Sequence, residues 1–97
     1  FEALRRREVF GTSGPRIEPR FFAAAELPAD LCGRADRLEQ ADAQGVPMGG
    51  DLVLASGGPT FAAFAAADPG TTSAPGNDLQ RIQIVKGWVD GGGNAQE

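Results

Sequence analysis

Histidine and tyrosine are absent from these 97 residues, and cysteine, methionine and tryptophan occur once each. Without imidazole, no side chain has an ordinary pKa close to neutrality. Histidine-based acid–base catalysis and the usual His-containing zinc sites are therefore excluded for these residues. A lone Cys32 permits no internal disulfide and leaves the redox compartment open. Its plainest role is that of a small packing residue. Lysine and arginine number 9 against 13 acidic residues, for a formal net charge of −4. Three of those cations, Arg5, Arg6 and Arg7, are consecutive and point different ways round a helix. A phosphate backbone needs a sustained basic stripe, so nucleic acid is not an expected partner. No apolar run approaches the ~20 residues of a transmembrane helix, and the Arg cluster precedes no signal-peptide core. Membrane is not an expected partner either, while periplasm and cytoplasm both stay open.

Strong core formers are also few. Val, Ile, Leu and Phe make up 21 of 97 residues, close to the ~20% below which chains tend not to fold. Much of the remaining apolar content is alanine, which buries little area. Fourteen glycines and seven prolines make the chain rich in turns. Its low net charge argues against disorder. Such a chain is expected to order itself with help from the rest of its protein or from a second copy.

The pattern along the chain predicts an α+β fold: a short N-terminal helix, then three or four mainly antiparallel strands with long loops. Phe1 to about Phe10 reads as the last turns of a helix, its arginines suited to a C-terminus and Gly11 its stop. Ile17, Pro19 and Phe21 alternate with Glu18 and Arg20, which predicts a strand over 16–22 with one wet face. Pro19 assigns that strand to an edge or a bulge. Leu31, Ala35, Leu38 and Ala41 form a helical stripe within 30–44, with Gly45 as its stop. Residues 45–51 are turn material, and Leu52–Leu54 begins a short strand. Thr60 to Ala66 sits between Pro59 and Pro69 and reads as a strand, with helix the alternative. Residues 68–78 form a polar loop. Leu79 to Asp90 is the best strand, with Ile82, Ile84 and Trp88 on one face. Asp90-Gly91-Gly92-Gly93-Asn94 is hairpin-tip chemistry, and its returning strand is expected to be missing, as in an incomplete domain.

Four segments carry a resemblance. They are Phe1-Glu2-Ala3-Leu4-Arg5-Arg6-Arg7-Glu8-Val9-Phe10-Gly11-Thr12-Ser13-Gly14-Pro15-Arg16-Ile17, then Arg20-Phe21-Phe22, then Gly45-Val46-Pro47-Met48-Gly49-Gly50-Asp51-Leu52. The closest is Leu79-Gln80-Arg81-Ile82-Gln83-Ile84-Val85-Lys86-Gly87-Trp88-Val89-Asp90. In this order they resemble a large bacterial family known only as a domain of unknown function. The earlier part of its members looks like a PHP (polymerase and histidinol phosphatase) metal-dependent hydrolase barrel. The resemblance implies that residues 1–17 close such a barrel and that 18–97 form a β-rich C-terminal appendage truncated at a hairpin turn. It also implies that the barrel's divalent metal and its ligands lie upstream, with no cofactor held by this chain. Two departures are visible: Pro19 replaces a branched apolar residue, and the Ala-rich tract over 54–67 matches poorly.

The residues offer one candidate contact. Gly11-Thr12-Ser13-Gly14 can present backbone N–H groups and two hydroxyls to an anion, with Arg16 close behind. Thr12, Ser13 and Arg16 are its members. The spacing is not a Walker A loop, and an ordinary helix-to-strand turn accounts for the same residues. Ser13 as a nucleophile lacks a histidine base. Asp30, Asp36, Glu39 and Asp42 read as a solvated helix face, and no alternating calcium loop is present. Asp51 reads as a turn residue. Trp88, Lys86 and Met48 read as packing groups more than as recognition groups. No catalytic or metal-ligating residue is assigned. The expected role is a non-catalytic accessory segment of a metal-dependent hydrolase that packs on it and shapes its substrate cleft. The expected partner is the remainder of the parent protein. The alternative is a binding or assembly module that forms a homo-oligomer through the exposed edge of strand Leu79–Val89, left without its hairpin partner.

Overall fold

The computed structural model describes residues 1–54 and 56–97. The loop expected over 55–59 therefore falls outside the described residues at position 55. The architecture is α+β, as the pattern predicts. In chain order it comprises α1 (Glu2–Arg5), β1 (Glu18–Ala24), a 3-10 turn (Leu31–Gly33), α2 (Arg37–Gln44), β2 (Val46–Pro47), β3 (Thr60–Ala66), β4 (Trp88–Val89) and β5 (Ala95–Gln96). Two antiparallel sheets result, one in the order β2-β1-β3 and one made of β4 and β5. The β1–β3 ladder runs unbroken from Glu18↔Ala66 to Ala24↔Thr60. Thr60–Ala66 is thus a strand and not a helix, since flanking prolines leave its alanines too short a run.

Strand alternation gives the sheet two faces. Phe22, Ala24 and Ala62 lie on one of them, and Leu31 and Ala41 close over it from the turn and α2. Phe22 is 1% exposed and meets Phe64 edge-on, with ring centroids 6.3 Å apart. Leu27, Leu38 and Phe64 pack around this cluster. Residues 37–44 are good helix formers, and Leu38 and Ala41, three apart, turn inward together. Gly45 ends α2, as expected. A Cβ there would stand 2.6 Å from the Ala23 carbonyl oxygen, so only glycine lets the helix end against β1.

Several expectations need correction. The N-terminal helix stops at Arg5, well before Gly11. Arg7 adopts φ 61, and Arg7 N–H and Glu8 N–H donate to the Leu4 and Ala3 carbonyls at 3.1 and 2.9 Å. That is a Schellman motif with arginine in the place glycine usually holds. In β1 the faces are reversed: Glu18 and Arg20 share the face of buried Phe22, while Pro19 and Phe21 line the other. The helical layer covers only the Phe22 end of that face, and the Arg20 guanidinium lies 5.5 Å from the Phe22 ring centroid. Pro19 pairs with Ala65 on one side, whereas β2 reaches only Phe22 and Ala23 on the other. At Pro19 the strand is therefore locally an edge, although β1 is central in the sheet.

The expected helix over 30–44 divides into the 3-10 turn and α2, leaving Ala35 exposed between them. Leu52–Leu54 forms no strand. Over 79–90 only Trp88–Val89 enters a ladder, and Ile82, Ile84 and Val85 are each more than half exposed. Strand propensity is realised only where a partner strand lies alongside. The return after Gly91–Asn94 is present, since β5 pairs Gln96 with Trp88 and Ala95 with Val89.

Candidate functional site

Thr12 and Ser13 lie on the exposed stretch between α1 and β1. With Gly11, Pro15 and Ile17 they line a shallow depression of about 270 Å³. Arg16 is exposed beside it, and its backbone N–H already has an anionic acceptor. It donates to Asp68 Oδ2 at 2.9 Å. Asp68 Oδ1 in turn accepts from Gly70 N–H at 2.8 Å. These N–H donors, Arg16 first, hold the Asp68 carboxyl below its ordinary value of 3.8. The candidate loop is thus tied, through 52 residues of chain, to a carboxylate of its own protein.

A second such carboxylate organises the β4–β5 hairpin. Asp90 accepts from Gly92 N–H and Asn94 N–H, both at 2.9 Å, and from Gln96 Nε2 at 3.1 Å. The Asn94 N–H leads in holding its pKa below the usual 3.8. Both residues begin an Asp-x-Gly run (Asp68-Pro69-Gly70, Asp90-Gly91-Gly92), where a short carboxylate reaches the N–H two residues on. That spacing was visible in the sequence and marks both turns.

The remaining acidic residues are dispersed. Asp30 pairs with Arg34 at 3.4 Å, Asp36 accepts from Gln40 Nε2 at 3.0 Å, and Asp51 faces Arg7 at 3.4 Å. Glu39 and Asp42 are exposed on α2. Among the described residues no group of three or more His, Cys, Asp or Glu is placed to hold a metal. No helix of the described residues is long and apolar enough to cross a membrane. Cys32 is exposed, not buried as a packing residue would be. Trp88 is 45% exposed, with Lys86 Nζ 5.1 Å from its ring centroid. Neither belongs to a core.

What the structure adds is an apolar surface. On the sheet face away from α2, the Phe21 and Phe61 rings stack with centroids 5.7 Å apart and planes at 11°. Val46, Met48, Leu52 and Leu54 complete a groove of about 290 Å³ around them. Gly49, at φ 83, is among its lining residues, and a Cβ there would collide with the carbonyl oxygens of Arg6 and Arg7. A second hollow of about 310 Å³ continues along Pro19 and Ala65, bordered by Ile82 and Ile84. Sequence reasoning missed this face because it assigned Phe21 to the covered side. A surface so lined can bind apolar groups, and it carries no nucleophile, acid or base.

The whole chain, residues 1–97, matches the model of a family described as protein of unknown function (DUF3604). The chain belongs to the DUF3604 family. No curated protein and no solved structure matches it. Within this DUF3604 chain, the feature that the fold adds to the sequence is the apolar face around Phe21 and Phe61.

Proposed function

We propose that this chain is a non-catalytic accessory segment of a metal-dependent hydrolase, packing on the rest of that enzyme and forming part of one wall of its substrate cleft. The observation that carries the reading is the apolar sheet face around Phe21 and Phe61, with Phe61 49% exposed on it. An apolar patch of this kind marks an interaction surface. The absence of histidine supports the non-catalytic half of the reading, and the PHP-like resemblance of the family supports the hydrolase half. In this reading a divalent metal is held by the remainder of the protein, residues 1–17 end its barrel, and residues 18–97 form the appendage. Thr12, Ser13 and Arg16 would contact an anionic substrate group only from the rim.

The test is phosphoester turnover with added manganese or zinc. The longer protein is expected to be active, and the 97-residue chain inactive. Arg16→Ala in the longer protein is expected to leave kcat unchanged and to raise KM. Metal-dependent turnover by the 97-residue chain itself would sink the accessory reading.

A second reading, assembly through a strand edge, moves from Leu79–Val89, whose Trp88–Val89 pairs with β5, to a different strand. β3 ends the three-stranded sheet with no strand on its outer side among the described residues.

A further inference from the structure

The three-stranded sheet ends in two edges of unlike character. At β2 the edge is two residues long and includes Pro47, which has no N–H to offer. At β3 it runs seven residues, Thr60–Ala66, with no charge, no proline and no break in register. Of the devices that protect natural edge strands, charge, proline and a bulge are absent there, and the run Ile82–Val85, which borders Ala63–Ala65 across a hollow, joins no ladder with it. The outward N–H and C=O groups of β3 are strong hydrogen-bonding groups whose best partner is another strand.

From this contrast we infer that β3 is the edge through which two copies of this chain associate. β3 of one copy pairs antiparallel with β3 of the second, across a two-fold axis at Ala63. The inference rests on the assembly reading above and names its edge, partner and register. Two three-stranded sheets become one continuous sheet.

Charge and volume favour a second copy as the occupant. Laid against itself about Ala63, β3 sets Ala62 opposite Phe64, Phe61 opposite Ala65 and Thr60 opposite Ala66. Each aromatic ring faces an alanine, and no like charges meet, which is what ordinarily discourages identical strands from pairing. A two-fold axis normal to the sheet also returns every side chain to its own face. The layer holding Phe22 and Ala62 then continues across the junction, and so does the face of Phe21 and Phe61. A slip of one residue would set one copy's core side chains beside the other's outer ones. An uncharged edge offers nothing to recruit a charged peptide. The other apolar run, 79–89, carries Arg81 and Lys86 and reaches a ladder only at Trp88–Val89.

The test is made on the full chain with Cys32→Ser, so that its exposed thiol does not cross-link. Sedimentation equilibrium is expected to show a dimer. Ala63→Lys, on the half-buried outer face and outside the core, is expected to raise its dissociation constant by about tenfold or more. Far-UV circular dichroism checks that the variant keeps its fold. Ala63→Cys supplies an independent measurement that adds little volume. Residues opposite each other in an antiparallel pair have Cα atoms about 4.5–5.5 Å apart, within the span a disulfide bridges. Under oxidation Ala63→Cys is therefore expected to give a reducible dimer, and Ala66→Cys none. A chain that stays monomeric at every concentration overturns both the inference and the assembly reading. A dimer that cross-links through Ile84→Cys and not Ala63→Cys overturns the β3 pairing and leaves assembly through 79–89 standing.

Discussion

Arg7 shows how a single residue escapes the usual sequence signals. Left-handed backbone costs a side-chain-bearing residue about 1–2 kcal/mol, so a reader looks for glycine and finds Gly11. The chain turns at Arg7 instead, and the turn places the Arg7 guanidinium 3.4 Å from both oxygens of Asp51. Gly49 then fits against the same turn because it has no Cβ to collide with the two carbonyls. Asp68 works the other way, since its Asp-x-Gly spacing was legible while its second partner, Arg16, was not. No local pattern connects positions 52 apart. Its lowered pKa fixes the sign of a pH effect. A carboxylate whose folded pKa lies below its unfolded value stabilises the fold above that unfolded value. The contribution fades as pH falls below 3.8 and is gone once pH passes Asp68's folded pKa. Asp68→Asn is therefore expected to lower stability at neutral pH, and the gap from wild type is expected to close in acid. NMR titration of the Asp68 carboxyl gives the direct check. A midpoint at or above 3.8 would mean that the tether to Arg16 is not made in solution.

At the scale of elements, length and punctuation decided what could be read. β3 was legible because Pro59 and Pro69 leave room for a strand and too little for a stable helix. α2 was legible from its good formers and from Gly45. The face assignment of β1 was not, because alternation shows which residues share a side but not which side a helix will cover. Glu18 and Arg20 are polar, yet they stand on the core side at its uncovered end. Nor could 79–90 be read correctly, since its propensity suits a ladder that only β5 supplies, at two pairs. The reversed assignment makes a measurable difference between two phenylalanines. Phe22 is enclosed, and Phe22→Ala is expected to cost about 3–5 kcal/mol. Phe61, half exposed, is expected to cost far less when cut to alanine, because its ring is already largely wet. Urea midpoints for the two variants decide the matter, and equal losses would return Phe61 to the core.

The whole molecule is more open than its length requires. Its Cα radius of gyration is 16.0 Å, where a compact chain of this size has roughly 12.5 Å. Its accessible surface is 7682 Å², against roughly 5,300 Å² for a folded monomer of this mass. The excess follows from composition. With few large apolar residues, the chain builds one small cluster around Phe22 and leaves a second apolar layer, around Phe21 and Phe61, without a cover of its own. The first sign of this was legible in the scarcity of Val, Ile, Leu and Phe; which residues would be left outside was not. If that layer packs on the rest of the protein, residues in its groove should react differently in the two settings. Hydroxyl-radical oxidation is suited to the question because the one methionine, Met48, lines the groove, while Cys32 is exposed in the helical layer. Met48 is expected to oxidise readily in the 97-residue chain and several-fold more slowly within the longer protein, with Cys32 reactive in both. Pairing through β3 leaves Met48 open, since it joins edges and not faces, so dimerisation cannot imitate that protection. Equal oxidation of Met48 in both settings would mean that the face stays in water, and the packing reading would fall while the pairing at Ala63 remained.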